Sequence, residues 1–422
     1  LGMLREQGME IVADPAEADV IFVNTCGFIE SAKTDSIDTI LDMAQYKTAG
    51  SCKLLVVTGC LSQRYGDELA RELPEVDVFN GVKNYPALAE RLAEICGVEP
   101  APESANAAAC CGIPKRLLTT PSYRAYLRIA DGCDNRCTYC AIPLIRGGRV
   151  STPMETLLAE AEQLAESGVT ELTVIAQDTS AYGIDLYKKY ALPDLLKELC
   201  KIDGIKWIRL LYCYPERMTD ELIETIKTED KVLNYIDIPI QHCNKEILRN
   251  MYRGGDEQSL RELFAKLRRE IPGVVLRTTL ITGFPGETEE QFSELAEFVN
   301  DIKFERLGCF AYSAEEDTPA AEMPDQVDEG ERQRRADIIT GEQEIRMGEY
   351  YAGMVGNTYE VVCEGFDRYS DMYFGRSMHF APEIDGMIYF TSAKDKGSLT
   401  IGDFVNVKIT DVLENNLLGE RV

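Results

Sequence analysis

Residues 19–24 and 53–58 each carry four consecutive apolar positions between polar ends. A strand with one buried face alternates, so runs without alternation predict parallel strands covered on both sides. Amphipathic stretches at about 28–48, 63–73 and 85–96 predict helices beside them. Residues 1–100 therefore read as a small open α/β sheet of flavodoxin-like type. Residues 101–122 lose periodicity and collect Pro and Ala, which predicts a linker. From 123 to 346 the two patterns alternate again. Strands are predicted at 124–130, 171–177, 206–213, 233–238, 274–282 and 306–311, with helices at 152–167, 192–201, 256–270 and 288–301 among the intervening stretches. Six strand–helix repeats predict a partial, TIM-like (β/α)6 barrel, short of the eight that close a complete one. From 347 to 422 the helical period gives way to short β-type runs at 358–363, 387–391 and 403–410. These predict a small antiparallel β-barrel of OB-like size.

Charge narrows the choice of partner. Lys plus Arg number 44 against 72 Asp plus Glu, a net charge of −28 in 422 residues. Such a surface disfavours non-specific attraction to nucleic acid or anionic lipid and suits a basic partner. Residues 347–422 alone carry 12 acidic and 6 basic side chains, a net of −6. No apolar run approaches the ~20 residues of a membrane span and no signal peptide is evident, so a cytoplasmic protein is expected. The first residue is Leu1 rather than Met, which reads as a chain whose natural start lies further upstream.

Fourteen cysteines in a chain of this length are too sparse for a disulfide scaffold, so metal binding or catalysis is the better reading for spaced cysteines. Only two histidines are present, His242 and His379. A metal site here must therefore be built mostly from sulfur.

The strongest local signal is Gly132-Cys133-Asp-Asn-Arg-Cys137-Thr-Tyr139-Cys140. It follows the first predicted barrel strand, where loops at carboxyl ends gather active-site groups. Three thiolates on one tight loop can converge on an iron–sulfur cluster, and a four-iron cubane held by three cysteines keeps one iron open. A structural zinc site would want a fourth Cys or His nearby, and the loop offers none. The plainest alternative is three unrelated thiols. A quieter signal is the pair Cys26 and Cys60, each just beyond a predicted parallel strand, where an open α/β sheet places its ligand crevice. Cysteines 52, 96, 110, 111, 200, 213, 243, 309 and 363 lack a comparable arrangement and read as ordinary thiols, the vicinal pair Cys110–Cys111 being the one exposed to accidental oxidation.

The C-x3-C-x2-C loop with an aromatic before its last cysteine resembles the signature of the radical S-adenosylmethionine (SAM) superfamily. With Cys26 and Cys60 upstream, the whole chain resembles the radical-SAM methylthiotransferases. The resembling stretches are Asn24-Thr-Cys26-Gly-Phe-Ile29, Gly59-Cys60-Leu-Ser-Gln-Arg64, Tyr126 to Gly147, Gln177-Asp-Thr179 with Tyr182-Gly183, Trp207-Ile-Arg-Leu-Leu-Tyr212, Ile238-Pro-Ile-Gln-His242 and Gly283-Phe-Pro-Gly-Glu-Thr288. The resemblance implies an N-terminal domain holding an auxiliary 4Fe–4S cluster, a radical-SAM barrel and a C-terminal TRAM barrel. It implies that Cys133, Cys137 and Cys140 hold the SAM-binding 4Fe–4S cluster. Cys26 and Cys60 hold the auxiliary one, with a third cysteine expected upstream of Leu1. Tyr139, Gln177, Gly283 and Glu287 are expected around SAM. Within the family the motif wording, with Gly27-Phe28, Tyr182-Gly-Ile-Asp185 and Tyr212-Cys-Tyr214, is most similar to the branch that methylthiolates an aspartate of the small-subunit ribosomal protein S-twelve. The acidic C-terminal barrel agrees, since a grip on transfer RNA should present Lys and Arg. The alternative branch modifies isopentenyladenosine in transfer RNA.

By resemblance, one SAM methylates a sulfur on the auxiliary cluster and a second yields a 5′-deoxyadenosyl radical that takes a hydrogen from the aspartate β-carbon. An electron donor such as flavodoxin or ferredoxin is implied. The chain departs from the family at Ser151-Thr152, where Ser-Arg is usual, with Arg149 as a candidate substitute. Plainer roles stand beside these. Tyr139 could cap its loop, Gly283 and Gly286 could serve a turn with Thr288 and Gln291 as a capping box, and His242 could be an interior histidine. A reading from another class is a non-enzymatic iron–sulfur carrier or scaffold.

Overall fold

A computed structural model describes residues 1–98, 116–393 and 396–422. Most of the predicted linker, with Cys110 and Cys111, lies outside the described residues. The chain divides into two compact units that do not follow chain order. The first comprises Leu1–Thr119, Asp131–Val150 and Ser313–Glu322, and the second Thr120–Ala130, Ser151–Tyr312 and Met323–Val422.

In the first unit, β1 (Val20–Thr25), β2 (Leu54–Gly59) and β3 (Val78–Phe79) form a parallel sheet in the order β1-β2-β3. Strand β2 shows why its run lacked alternation. Leu55 and Val57 pack on one face with Ile40, Leu61 and Leu69, while Val56 packs on the other with Leu4, Leu88 and Leu92. The predicted helix over 28–48 is Glu30–Ala44 followed by a short turn at Tyr46–Ala49. The helix predicted from 63 begins earlier, at Cys60. The start was hidden because Gly59, at φ +102°, carries the chain directly from strand to helix without a polar cap. Segment 313–322 belongs to this unit: Glu315 is buried within 3.6 Å of Lys33 and 3.9 Å of Arg64, and the Tyr65 hydroxyl donates to Glu316.

In the second unit, β4 (Arg124–Arg128), β5 (Glu171–Ile175), β6 (Trp207–Leu210), β7 (Val232–Asp237), β8 (Val275–Thr282) and β9 (Arg306–Ala311) are all parallel and adjacent in sequence order. The sheet is open, as six repeats predict. Strands β10 (Thr358–Asp367), β11 (Met372–Arg376), β12 (Ile388–Thr391), β13 (Phe404–Leu413) and β14 (Asn416–Arg421) form a closed barrel. Its pairings are antiparallel except β12 with β14, which run parallel.

Register places one polar set on a single face of the six-stranded sheet: Arg124 and Tyr126 beside Glu171 and Thr173, then Arg209, Asp237, Arg277 and Arg306. At the amino ends of the strands this set is sealed by residues 376–385 of the small barrel. Arg376 lies 2.7 Å from Glu171, which also receives Arg209, and the Arg209 guanidinium donates to the Met378 carbonyl. Asp385 accepts from the Tyr235 hydroxyl at 2.8 Å and pairs with Arg306, while Glu383 pairs with Arg124. Buried charges survive only when paired: Asp237 pairs with Arg277 and Glu171 with Arg209 within the sheet, while Glu171–Arg376, Arg306–Asp385 and Arg124–Glu383 join the sheet to the barrel.

Candidate iron–sulfur and cofactor site

Cys133, Cys137 and Cys140 sit on one loop of the first unit, Cys133 and Cys137 buried and Cys140 half-buried. Gly132 makes the loop possible. Its φ is +72°, and a Cβ there would fall 2.3 Å from the Gly148 carbonyl oxygen. The loop closes on itself through Cys133 N–H donating to Gly147 O, Cys140 N–H to Cys137 O, and Arg149 N–H to the Asp134 carboxylate. A short helix, Ile142–Arg146, follows. Tyr139 is half-buried on the same loop.

Cys26 and Cys60 occupy equivalent strand ends, because Thr25 and Gly59 are register partners. The two ends approach closely: a Cβ on Gly27 would meet the Leu61 backbone at 2.7 Å. Cys26 is exposed and Cys60 half-buried. The helix Cys60–Glu72 packs on Ile142–Arg146. There Arg146, which sequence reasoning missed, donates to Cys60 Sγ at 3.4 Å and to Asp131 Oδ1 at 2.8 Å. A basic residue at the end of the cysteine loop was the only available signal.

Among the described residues no cysteine is in a disulfide. Among the described residues no three His, Cys, Asp or Glu side chains are arranged to hold a single metal ion. A donor set made only of sulfur, on one glycine-shaped loop, fits an iron–sulfur core. Burial pushes Cys200 and Cys309 up to about 12 and raises Cys52, Cys213, Cys243 and Cys363, which keeps them as inert thiols.

In the second unit, Gln177 follows β5 half-buried, and its buried Oε1 has no hydrogen-bond partner. Gly283 and Glu287 bound the turn after β8. Gly283 is at φ +70°, with the Arg332 side chain where a Cβ would be. Glu287 lies inside the turn: Oε2 accepts from Gly283 N–H at 2.9 Å and Oε1 from Arg335 at 2.9 Å. Burial raises its pKa. The Thr288–Gln291 capping box is present. His242 is fully buried. Its Nδ1 accepts from Asn244 N–H, while Nε2 has no hydrogen-bond partner and stands 3.7 Å from Glu287. Burial pushes it down to about 3, so it is neutral.

Ser151 accepts from Gly183 N–H and donates its own N–H to Asp185. Arg149 is buried, 3.7 Å from Asp134. A cavity of about 490 Å³ lined by Ile271, Val274, Glu305, Tyr350 and His379 lies at the amino ends of the strands and contains none of the candidate residues. Among the described residues no helix is long and apolar enough to cross a membrane.

Three family descriptions match this chain: the Radical SAM superfamily over residues 127–299, an uncharacterised protein family, UPF0004, over 1–81, and the TRAM domain over 355–422. The chain is thus a radical-SAM protein with a three-part architecture. Among solved structures, the radical S-adenosylmethionine methyltransferase TsrM from Kitasatospora setae, with cobalamin and a 4Fe–4S cluster bound, shares the fold. Its TM-score is 0.52 at 15% identity, covering 72% of this chain and 66% of that one. Curated relatives are far nearer. Ribosomal protein uS12 methylthiotransferase RimO of Clostridium botulinum (strain Hall) is 50% identical over 411 residues, 97% of this chain and 91% of that protein. The RimO of Citrifermentans bemidjiense is 48% identical over 426 residues, 100% of this chain and 94% of that protein. That of Lachnoclostridium phytofermentans is 48% identical over 420 residues, 99% and 95%. The chain belongs to the RimO family of radical-SAM methylthiotransferases.

Proposed function

We propose that this chain attaches a methylthio group to the β-carbon of an aspartate in ribosomal protein uS12. The observation that carries the reading is that five cysteines at the family's positions fall in one compact unit. They do so in a chain half identical to proteins named for that activity. Cys133, Cys137 and Cys140 hold one 4Fe–4S cluster with an iron open to SAM. Cys26 and Cys60, with a third cysteine, hold the auxiliary one. When bound, these groups supply a hydrogen-abstracting 5′-deoxyadenosyl radical and a methylated sulfur for transfer. Radical chemistry is needed because a β-hydrogen of aspartate is not acidic enough for a side-chain base.

The chain's own residues position the reactants. By the family resemblance, Tyr139 is assigned to the adenine of SAM. The backbone of the Gly283–Glu287 turn borders the cofactor, with Glu287 bracing it from behind. The Gln177 Oε1, buried without a donor, accepts from a hydroxyl or ammonium group of SAM, since an unsatisfied acceptor costs free energy until it is paired. The net charge of −28 suits a basic ribosomal protein as substrate. A cytoplasmic setting and a flavodoxin- or ferredoxin-type electron donor complete the reading. The parts divide as a cluster domain over 1–100, a linker over 101–122, a barrel over 123–346 and a TRAM domain over 347–422.

The test is mass spectrometry of uS12 and of transfer RNA from cells lacking the gene. Loss of the methylthio mass from uS12 is expected. Loss from the nucleoside instead would transfer the activity to the other branch. With the purified protein, reductant and SAM should yield 5′-deoxyadenosine, and its absence with clusters intact would favour the carrier reading.

A further inference from the structure

Arg146 closes the cysteine loop that begins at Asp131. Its guanidinium has two partners, one in each cysteine group's neighbourhood. One nitrogen donates to Asp131 Oδ1 at 2.8 Å, and the same oxygen accepts from Gly132 N–H, the residue before Cys133. The other donates to Cys60 Sγ at 3.4 Å. Cys60 is 86 residues away in the chain, at the start of a different helix. The side chain is only 20% exposed, so its charge is weakly screened. A guanidinium keeps its charge in proteins, so the side chain is a cation.

We infer that Arg146 is a positioning residue that ties the SAM-cluster loop to an auxiliary-cluster ligand and tunes the auxiliary cluster through the Cys60 sulfur. The inference rests on the cluster assignments proposed above. Hydrogen bonds and positive charge at a ligand sulfur are established levers on cluster potential. A guanidinium at Cys60 stabilises the more negative, reduced state, so it raises the potential of the auxiliary cluster. On the side of the Cys133–Cys140 loop its hydrogen bond goes to the Asp131 carboxylate. The consequence is asymmetric: Arg146 touches the Cys60 sulfur directly, whereas Asp131 keeps its own contact with the loop through Gly132 N–H whether or not Arg146 is present. The fork shape matters. Lys can reach one partner as a point charge but cannot bridge both.

The test compares the full chain with Arg146→Met, Arg146→Lys and Asp131→Asn, each with both clusters installed. Electron paramagnetic resonance during reductive titration follows the two clusters separately. Arg146→Met is expected to lower the auxiliary midpoint and leave the SAM-cluster midpoint in place. It should keep 5′-deoxyadenosine formation within about twofold and reduce methylthiolated product by about tenfold or more. Arg146→Lys should restore part of the midpoint and of the product ratio, and Asp131→Asn should fall between. The inference is overturned if Arg146→Met leaves the auxiliary midpoint and the ratio of product to 5′-deoxyadenosine unchanged. It is equally overturned if both midpoints move together with parallel loss of both products, since that is general damage. Failure of the unmodified protein to bind two clusters or to modify uS12 would strike the proposed function instead.

Discussion

The two ends of the six-stranded sheet are built from the same strands and differ in almost everything else. At the amino ends the charged side chains are paired: Glu171 has Arg209 and Arg376, Asp385 has Arg306 and Tyr235, and Glu383 has Arg124. At the carboxyl ends the same face opens. Phe310 is 60% and Tyr212 48% exposed, Thr279 and Ile281 are half-buried, and Gln177 Oε1 and His242 Nε2 have no hydrogen-bond partner. Buried ion pairing has been concentrated at one end, and the other keeps exposed apolar surface. A sealed end tolerates no missing partner, because a lone buried charge is costly. An open end tolerates change in stability terms but not in recognition.

The contrast is broken most forcefully at Arg376. Arg376→Met leaves Glu171 with Arg209 alone, and a loss of about 3–5 kcal/mol is expected in urea denaturation. Glu287→Gln at the open end should cost less, about 1–3 kcal/mol. The amide still accepts from Gly283 N–H, and Arg335 keeps Glu331 and Glu289. That variant should weaken SAM binding in equilibrium titration more than it weakens uS12 binding.

The two histidines sharpen the comparison, one at each end. Burial pushes His242 down to about 3 and His379 to about 4, so both are neutral in the folded chain. Unfolding returns them to about 6.5, so the unfolded chain binds the extra protons. Their contribution is intact above about pH 6.5. Below it, stability should fall by about 1.4 kcal/mol per pH unit for each histidine, down toward the folded values. His379→Gln and His242→Gln should each remove half of that slope, read from denaturation midpoints between about pH 7 and pH 5. The smallest effect on stability is expected for Phe310→Ala. It should stay within about 0.5 kcal/mol as a surface change and yet lower methylthiolation, since this ring stands on the open face.

The elements were legible where burial is one-sided or complete. Residues 53–58 read as a doubly covered strand because Val56 and Val57 do face opposite cores. In the large sheet Trp207–Leu210 was visible for the same reason, and Val275–Thr282 from its alternation. The helix start at Cys60 was not, because a glycine bend with no capping side chain leaves no polar mark. The position of Glu287 was half legible: its turn was foreseen from the glycines, its burial against Arg335 was not.

Spacing alone brought Cys133, Cys137 and Cys140 onto one loop, since eight consecutive residues cannot separate far. Local sequence likewise set the strand runs, the capping box at Thr288 and the strand-end positions of Cys26 and Cys60. Tertiary structure alone decided that Arg146 would meet Cys60, and that Glu171 would find Arg376, 205 residues along the chain. A local pattern records which face of an element is buried. It does not record which distant charge will be buried against it, because that choice is made only when the elements pack.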